Sequence, residues 1–413
     1  MDRNMLRRAS FDIIRRLDLF ESYMKRVASL IPFLWFATSC SGDRNRVVYV
    51  ENEDHYIVDI AAMGKVDNTR ELIEEIAFIP LETNEQSLLA DIDKVIFHRN
   101  RFYVHDKKFA SLKVFGEDGK YIRSIGNIGR GPGEFTTLMD FILDPQEDKL
   151  LLLSNNEKAV IEYDLEGKYL QTRRTNVFAS SFAKIGDSYY YFINQNDNDV
   201  SGLNNLIVMD ENSRVLDRQF PFSKAFDVML PSHCFLLENA SGALFHPTLS
   251  DTVFQLTADR KVYPKYAFDF GEKALPQIMR TAYEVYNTNE KYKYSRLGNR
   301  FVETENVVSF NYSDGRLMIP SAFCNKRSVD TVQGRKVLKP LRLDFPVSNT
   351  PVLGLMGDDT FITYVRAEFA EYVRNGIMSS ELLHENFPDL HALIPELQIG
   401  DNPVLVTFKL KLP

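Results

Sequence analysis

The feature that most constrains the fold is an echo inside the chain. Residues 101–122 read RFYVHDKKFASLKVFGEDGKYI and residues 149–170 read KLLLLSNNEKAVIEYDLEGKYL. Without a gap, Val104 falls on Leu152, Leu112 on Val160, Phe115 on Tyr163, Gly119 on Gly167, Lys120 on Lys168, Tyr121 on Tyr169 and Ile122 on Leu170. Each copy is an apolar run, a polar turn, a second run with rough alternation, and a glycine turn into a third run. The glycine stands where a tight hairpin often needs positive φ, which a residue without Cβ adopts at little cost. One sheet of three or four strands and about 45 residues cannot bury both faces alone, so such units stack radially on copies of themselves. The chain is therefore expected to be all-β, a β-propeller.

Weaker copies follow. Leu206–Asp210 with Val215 and Leu216 aligns on Val160–Asp164 and Tyr169–Leu170, but Ser213 replaces the turn glycine. Thr252–Leu256 and Phe268–Phe270 read as strands of a fourth unit, and 301–320 and 351–364 as parts of later ones. Within the β-rich start, Val47–Ile60, a strand near Val47–Val58 is expected to pair with the closing strand at Val404–Leu410, so that one blade is built from both chain ends and no open edge remains. Phe78–Leu81 reads as an edge strand, since Pro80 cannot donate to a ladder. Residues 274–288 and 365–393 carry apolar positions three or four apart, such as Phe369, Tyr372 and Val373, and are expected to be helical insertions on one face. From Val47 onward, six blades of about 61 residues and seven of about 52 both fit the length.

The chain is acidic, with a formal charge of −8. Residues 1–39 hold seven Lys/Arg and four Asp/Glu, so the remainder has 49 − 7 = 42 basic against 57 − 4 = 53 acidic residues, a balance of −11. Phosphate binding relies on clustered Lys and Arg, so nucleic acid is not the expected partner.

The start of the chain reads as an address. Lys25 and Arg26 precede the apolar run Val27–Ala37, which ends in Thr38-Ser39-Cys40 and then a polar stretch. This is the order of a bacterial lipoprotein signal, too short to span a bilayer comfortably, with Ala37 departing from the Leu usual at that position. Residues 1–40 are read as that signal, with Met24 an alternative start, Cys40 as the lipid attachment site and 41–413 as a single domain. Cys234 and Cys324 remain, too few for a disulfide framework, and are expected to be buried thiols. His233 is adjacent to Cys234, and strand neighbours point to opposite faces, so the pair is a poor chelate.

Between the first two copies lies Ile125–Phe135, IGNIGRGPGEF, with four Gly and one Pro. GRGPGEF, followed by Phe141–Asp144, the Lys149–Leu153 run, Val160–Asp164 and Gly167, resembles the NHL-type propeller repeat. More closely, residues 47–413 resemble the six-bladed β-propeller lipoproteins abundant in Bacteroidetes. The resemblance implies six blades with short helical insertions, a place in the cell envelope as an outer membrane lipoprotein, periplasmic or surface-facing, and a glycan or protein partner. The membrane would be met only through the lipid.

Chemistry is weakly marked. Arg130, with Glu134 four residues on, is the candidate ligand-binding pair: Arg130 and the loop's N–H groups would meet a carboxylate or sulfate. Beside this stands the reading that the two residues lock the connection by a salt bridge. A phosphate loop is absent, since Pro132-Gly133 stand where Lys and Ser/Thr are needed. Of seven histidines, His105 and His246 with Asp106 and Asp251 are candidates for a metal on the propeller axis, but none forms a recognisable metal motif. There is no GxSxG elbow and no Cys–His signature, so no catalytic residue is assigned. Asp197-Asn198-Asp199 lacks the glycine and distal Glu of an EF-hand and reads as a hairpin tip. Tyr189–Phe192 reads as a strand, and as a sugar-stacking platform only if alternate rings face a groove.

The expectation is a binding or scaffold protein without cofactor. Its alternative is a metal-dependent lyase or hydrolase with a divalent metal on the axis.

Overall fold

The computed structural model describes residues 55–413 apart from 67, 231–235, 240 and 349, and these belong to a unit spanning Asn45–Pro413. Cys40, the signal segment, Met24, residues 47–54, His233 and Cys234 lie outside the described residues. The protein is mostly sheet with a few short helices, arranged as a β-propeller. Its strands form six sheets of four to seven strands and one two-stranded ladder. Sheet I is Lys94–His98, Arg101–Asp106, Ser111–Gly116 and Tyr121–Ile125; sheet II is Asp140–Asp144, Lys149–Ser154, Ala159–Asp164 and Tyr169–Arg174. Sheet III is Ser181–Ile185, Ser188–Phe192, Asn204–Met209 and Val215–Pro221. Each is an antiparallel meander in chain order.

Stacking explains the composition of the strands. Residues of a strand alternate between faces, and the run Leu150–Leu153 is split accordingly. Leu150 and Leu152 pack with Tyr103, Leu112 and Val114 of sheet I, whereas Leu151 and Leu153 pack with Phe182, Tyr191 and Ile207 of sheet III. A sheet buried on both faces needs an unbroken apolar run, and each fully buried leucine contributes about 1.5–3 kcal/mol.

The sequence echo is an echo of backbone geometry. Between the third and fourth strands of sheets I to III the register slips at Val114/Phe115, Glu162/Tyr163 and Val208/Met209, and it does so again at Val253/Phe254 between Thr252–Leu256 and Val262–Asp269. The turn that follows holds one residue at positive φ: Gly119 at 80°, Gly167 at 83°, Ser213 at 61° and Arg260 at 62°. The N–H groups of Gly119, Gly167, Ser213 and Arg260 each reach back three residues, at 2.9–3.1 Å, to the carbonyls of Gly116, Asp164, Asp210 and Thr257. This is a three-residue hairpin, a turn closed by a left-handed residue and a bulge.

Sheet IV runs Leu237–Asn239, Gly242–Phe245, Thr252–Leu256 and Val262–Asp269, then adds Tyr56–Asp59, Arg335–Leu338 and Asp330–Val332. Sheet V runs Ser295–Glu303, Val307–Asp314 and Leu317–Asn325, then adds Leu341–Arg342 and Gly64–Lys65. Sheet VI runs Gly354–Met356, Thr360–Val365, Val404–Leu410 and Ile73–Pro80.

The closing strand pairs in sheet VI with a strand from the early part of the chain, but not with the one expected. Val404–Leu410 pairs with Ile73–Pro80, whose Pro80 lies on the sheet's edge strand, and not with the Val47–Val58 region. Tyr56–Asp59 instead lies parallel to Val262–Asp269, with Tyr56 stacked on Tyr266 at 5.4 Å and Val58 wholly buried.

The helical insertions are also more broken than their periodicity suggests. The first gives α1 (Gln277–Thr281) and α2 (Tyr283–Tyr286), separated by Ala282 in an extended conformation. The second gives α3 (Phe369–Arg374), α4 (Ser380–Asn386) and α5 (Pro388–Leu393), interrupted at Gly376 with φ 69° and at the Phe387–Pro388 junction. Phe369 and Val373 are buried as expected, but Tyr372 is exposed. No helix among the described residues is long and apolar enough to cross a membrane.

Candidate binding face

Successive strands of a meander run in opposite directions, so their connections alternate between two faces. On one face, here the lower, lie the tight turns between first and second and between third and fourth strands. These are charged: Glu166, for example, pairs with Arg101 at 2.7 Å and Arg123 at 2.9 Å. The upper face carries the sheet-to-sheet connections and the loops between second and third strands. Most of the long excursions belong to it: 193–203, 222–236, 270–294 with α1 and α2, and 366–403 with α3 to α5, whereas 326–340 leaves from the lower end of the third strand of sheet V. Exposed apolar side chains cluster there too, among them Ile128, Ile278, Met318, Tyr372, Ile377 and Ile399.

The sheets are tied together at their first strands. Asp140, fully buried at the start of sheet II, accepts from Lys94 Nζ of sheet I at 2.9 Å and from the Phe182 N–H of sheet III at 3.2 Å. Burial raises its carboxyl above the ordinary range, against the pull of Lys94. First strands of sheets I, II, IV, V and VI surround a cavity of about 320 Å³, lined by Lys94, Phe97, His98, Leu143, Leu237, Glu238, Glu303 and Leu355 among others. Glu303 binds Lys265 at 2.7 Å, Lys326 at 2.6 Å and the Tyr266 hydroxyl at 2.6 Å. Burial alone would raise the Glu303 carboxyl, but the two ammonium groups outweigh it and hold the group below its usual value.

The sequence-derived metal candidates are each engaged in local structure. His105 Nε2 lies 3.1 Å from the Leu138 carbonyl, and Asp106 accepts from the N–H groups of Ala90 at 2.5 Å and Phe109 at 3.0 Å. His246 Nε2 lies 2.8 Å from the Ser250 carbonyl, and Asp251 pairs with Arg280. Among the described residues no group of three His, Cys, Asp or Glu side chains comes together. Asp197 accepts from Ser201 Oγ at 2.6 Å and Leu203 N–H at 3.1 Å, which makes it part of a closed loop. Tyr189–Phe192 is buried throughout, leaving no ring for stacking, and Cys324 is a buried thiol.

The Gly-rich connection folds over Glu134. Its Oε2 accepts the Gly131 N–H at 2.7 Å, and a Cβ at Gly129 would stand 2.0 Å from the same oxygen. Arg130 is exposed and has no ion-pair partner among the described residues, so the expected Arg130–Glu134 salt bridge is not formed. Both residues line an upper-rim depression of about 560 Å³ with Thr136, Asn156 and Arg174.

The better-built concavity was not singled out by sequence reasoning. It lies on the upper face where α2 leans over sheets IV and V, has a volume of about 390 Å³, and is lined by Tyr283, Tyr286, Asn287, Lys291, Arg296, Asn299, Ser313 and His246 among others. Buried Phe226 backs both tyrosine rings, at 5.6 Å from Tyr283 and 5.7 Å from Tyr286. Arg296 donates to the Tyr286 hydroxyl at 2.6 Å and to Ser313 Oγ at 3.3 Å. The walls are thus fixed before any ligand arrives, as in most small-molecule sites. The density of Tyr, Lys and Arg between Tyr283 and Arg296 was the available sequence signal.

No protein of curated function matches the sequence. Among solved structures, the protein is similar to an exported protein of Bacteroides fragilis, at 16% identity and a TM-score of 0.67, covering 86% of this chain and 100% of that one. A member of the DUF4221 family from Bacteroides vulgatus matches at 12% identity and TM-score 0.44, covering 83% and 98%. Virginiamycin B lyase from Staphylococcus aureus matches at 8% and 0.39, covering 70% and 81%. A family model described as a domain of unknown function, DUF4934, matches residues 55–409, and the chain belongs to that family.

Proposed function

We propose that this DUF4934 protein is a lipid-anchored, six-bladed propeller of the cell envelope that binds a glycan or a protein partner on its upper face. The observation that carries the reading is the asymmetry of the disc. Most of the long excursions, most of the exposed apolar side chains and the preformed tyrosine pocket share one face, while the other carries mainly short charged turns. Loops positioned by a rigid scaffold are where binding surfaces are usually built. Six blades are supported by six sheets of four or more strands, and NHL-like repetition by the recurring bulge and turn. An envelope location is supported by the Cys40 signal and by the exported relative from Bacteroides fragilis. Arg130 is a secondary contact on the rim, with Glu134 holding its loop.

An array of neutral and acidic oligosaccharides, probed with residues 41–413 with and without chelator, tests this. Retention that survives chelation, without cleavage of the oligosaccharide, is expected. Chelator-sensitive cleavage would instead establish the metal-dependent lyase or hydrolase. Lipid attachment is tested separately by labelled-lipid incorporation, which Cys40→Ala should abolish.

A further inference from the structure

The pocket beneath α2 has an unusual charge balance for this chain. The protein as a whole carries −8, yet no Asp or Glu is among the described residues that line this pocket. Two cations do line it. Arg296 reaches only neutral oxygens, Tyr286 Oη and Ser313 Oγ, and packs over the Tyr286 ring at 5.7 Å. Lys291 lies over the same ring at 5.1 Å and touches Asn287 Oδ1 at 3.5 Å. Neither has a carboxylate partner among the described residues. Lys265, Lys326 and Arg280 are by contrast matched to acids, while Lys113 and Arg218 are, like Arg296, held by neutral oxygens. A guanidinium held in place by a hydroxyl keeps its remaining N–H groups available, and its planar fork suits a carboxylate. Leu249, Leu297, Met318 and the half-buried Tyr283 supply the apolar part of the lining, while the Tyr286 ring lies buried beneath the two cations. His246 is held by the Ser250 carbonyl and stays neutral near pH 7, since burial lowers it to about 4.

Resting on the binding reading above, we propose that this pocket takes a ring-bearing organic carboxylate, with Arg296 and Lys291 on the carboxylate and the ring against the half-buried Tyr283. An acidic sugar is the simplest molecule with both parts: its C–H face matches an aromatic surface and its acid group matches the cations.

The experiment is a calorimetric titration of residues 41–413 with D-glucuronate and, separately, with methyl glucoside. Variants Arg296→Gln and Lys291→Gln and the rim control Arg130→Gln are run in parallel, each checked for an unchanged melting curve. Glucuronate should bind at least tenfold more tightly than methyl glucoside, and either pocket variant should weaken it by about tenfold or more. Arg130→Gln should leave it unchanged. Lys291 makes only one long hydrogen bond, to Asn287, so its variant keeps the test decisive if Arg296→Gln does not fold. Equal binding of the two sugars, or indifference to both pocket variants, overturns the proposal while leaving the binding reading intact. If neither sugar binds and the array retains a glycan, the pocket assignment alone falls; if the array is also blank, the glycan reading falls with it.

Discussion

At the scale of single residues, what matters is which groups the fold forces into a particular state. His105 and His246 are buried on carbonyl oxygens, and burial lowers both to about 4 from the ordinary 6.5. An imidazole with a depressed folded value favours the native state fully above 6.5, and that contribution is lost as pH falls from 6.5 towards 4, because the unfolded chain takes up the proton first. Glu303 acts at still lower pH: its folded value lies below the unfolded one, so its contribution is present above about 4.3 and lost as pH falls through the depressed value. The melting temperature should therefore be level above pH 6.5 and decline between 6.5 and 4. A flat profile across that window would contradict the placement of both histidines.

The hairpin glycines make a second residue-scale case. Ser213 and Arg260 adopt the same left-handed turn, so the turn itself tolerates a side chain, at a cost of about 1 kcal/mol. Gly119 differs because a Cβ there would stand 2.2 Å from the Pro80 carbonyl of sheet VI, whereas at Gly167 the nearest atom is the end of the Ile125 side chain at 3.2 Å. Gly167→Ala should cost about 1 kcal/mol and Gly119→Ala several times more. Equal losses in chemical denaturation would refute the contact with Pro80.

At the scale of elements, sheet VI decides whether the ring closes. Val404–Leu410 is flanked by Thr360–Val365 and Ile73–Pro80, and Leu405, Val406 and Phe408 are wholly buried. Removing residues 404–413 takes out an interior strand and exposes two edges, which invites aggregation. The truncated chain should lose cooperative thermal unfolding; a sharp transition near the wild-type temperature would mean that closure adds little.

Elements also show what the chain displays locally and what it hides. The 101–122 and 149–170 echo was legible because turn and bulge are written within a few residues. The partner of Val404–Leu410 was not, since Ile73–Pro80 and Tyr56–Asp59 are both plausible strands and only long-range packing, such as Tyr56 on Tyr266, assigns them. The helical periodicity at 365–393 was real at Phe369 and Val373 but ran through Gly376, where the backbone turns left-handed. The pocket escaped notice because Tyr283, Tyr286 and Arg296 become a site only when Phe226, far back along the chain, and Ser313 of the neighbouring strand are brought behind and beside them.

At the scale of the whole molecule, the account rests on a disc with two unlike faces. The lower turns are short and charged, with Glu166 paired to Arg101 and Arg123, while the upper face carries most of the excursions, most of the exposed apolar side chains and a pocket with fixed walls. Ligand binding should accordingly leave the lower turns unchanged. The most direct test is hydrogen–deuterium exchange of residues 41–413 with and without the oligosaccharide best retained on the array. Slowed exchange confined to upper segments, above all 246–251 and 277–299, is the predicted result. Protection confined to the lower turns, around 116–121 and 164–169, would contradict it.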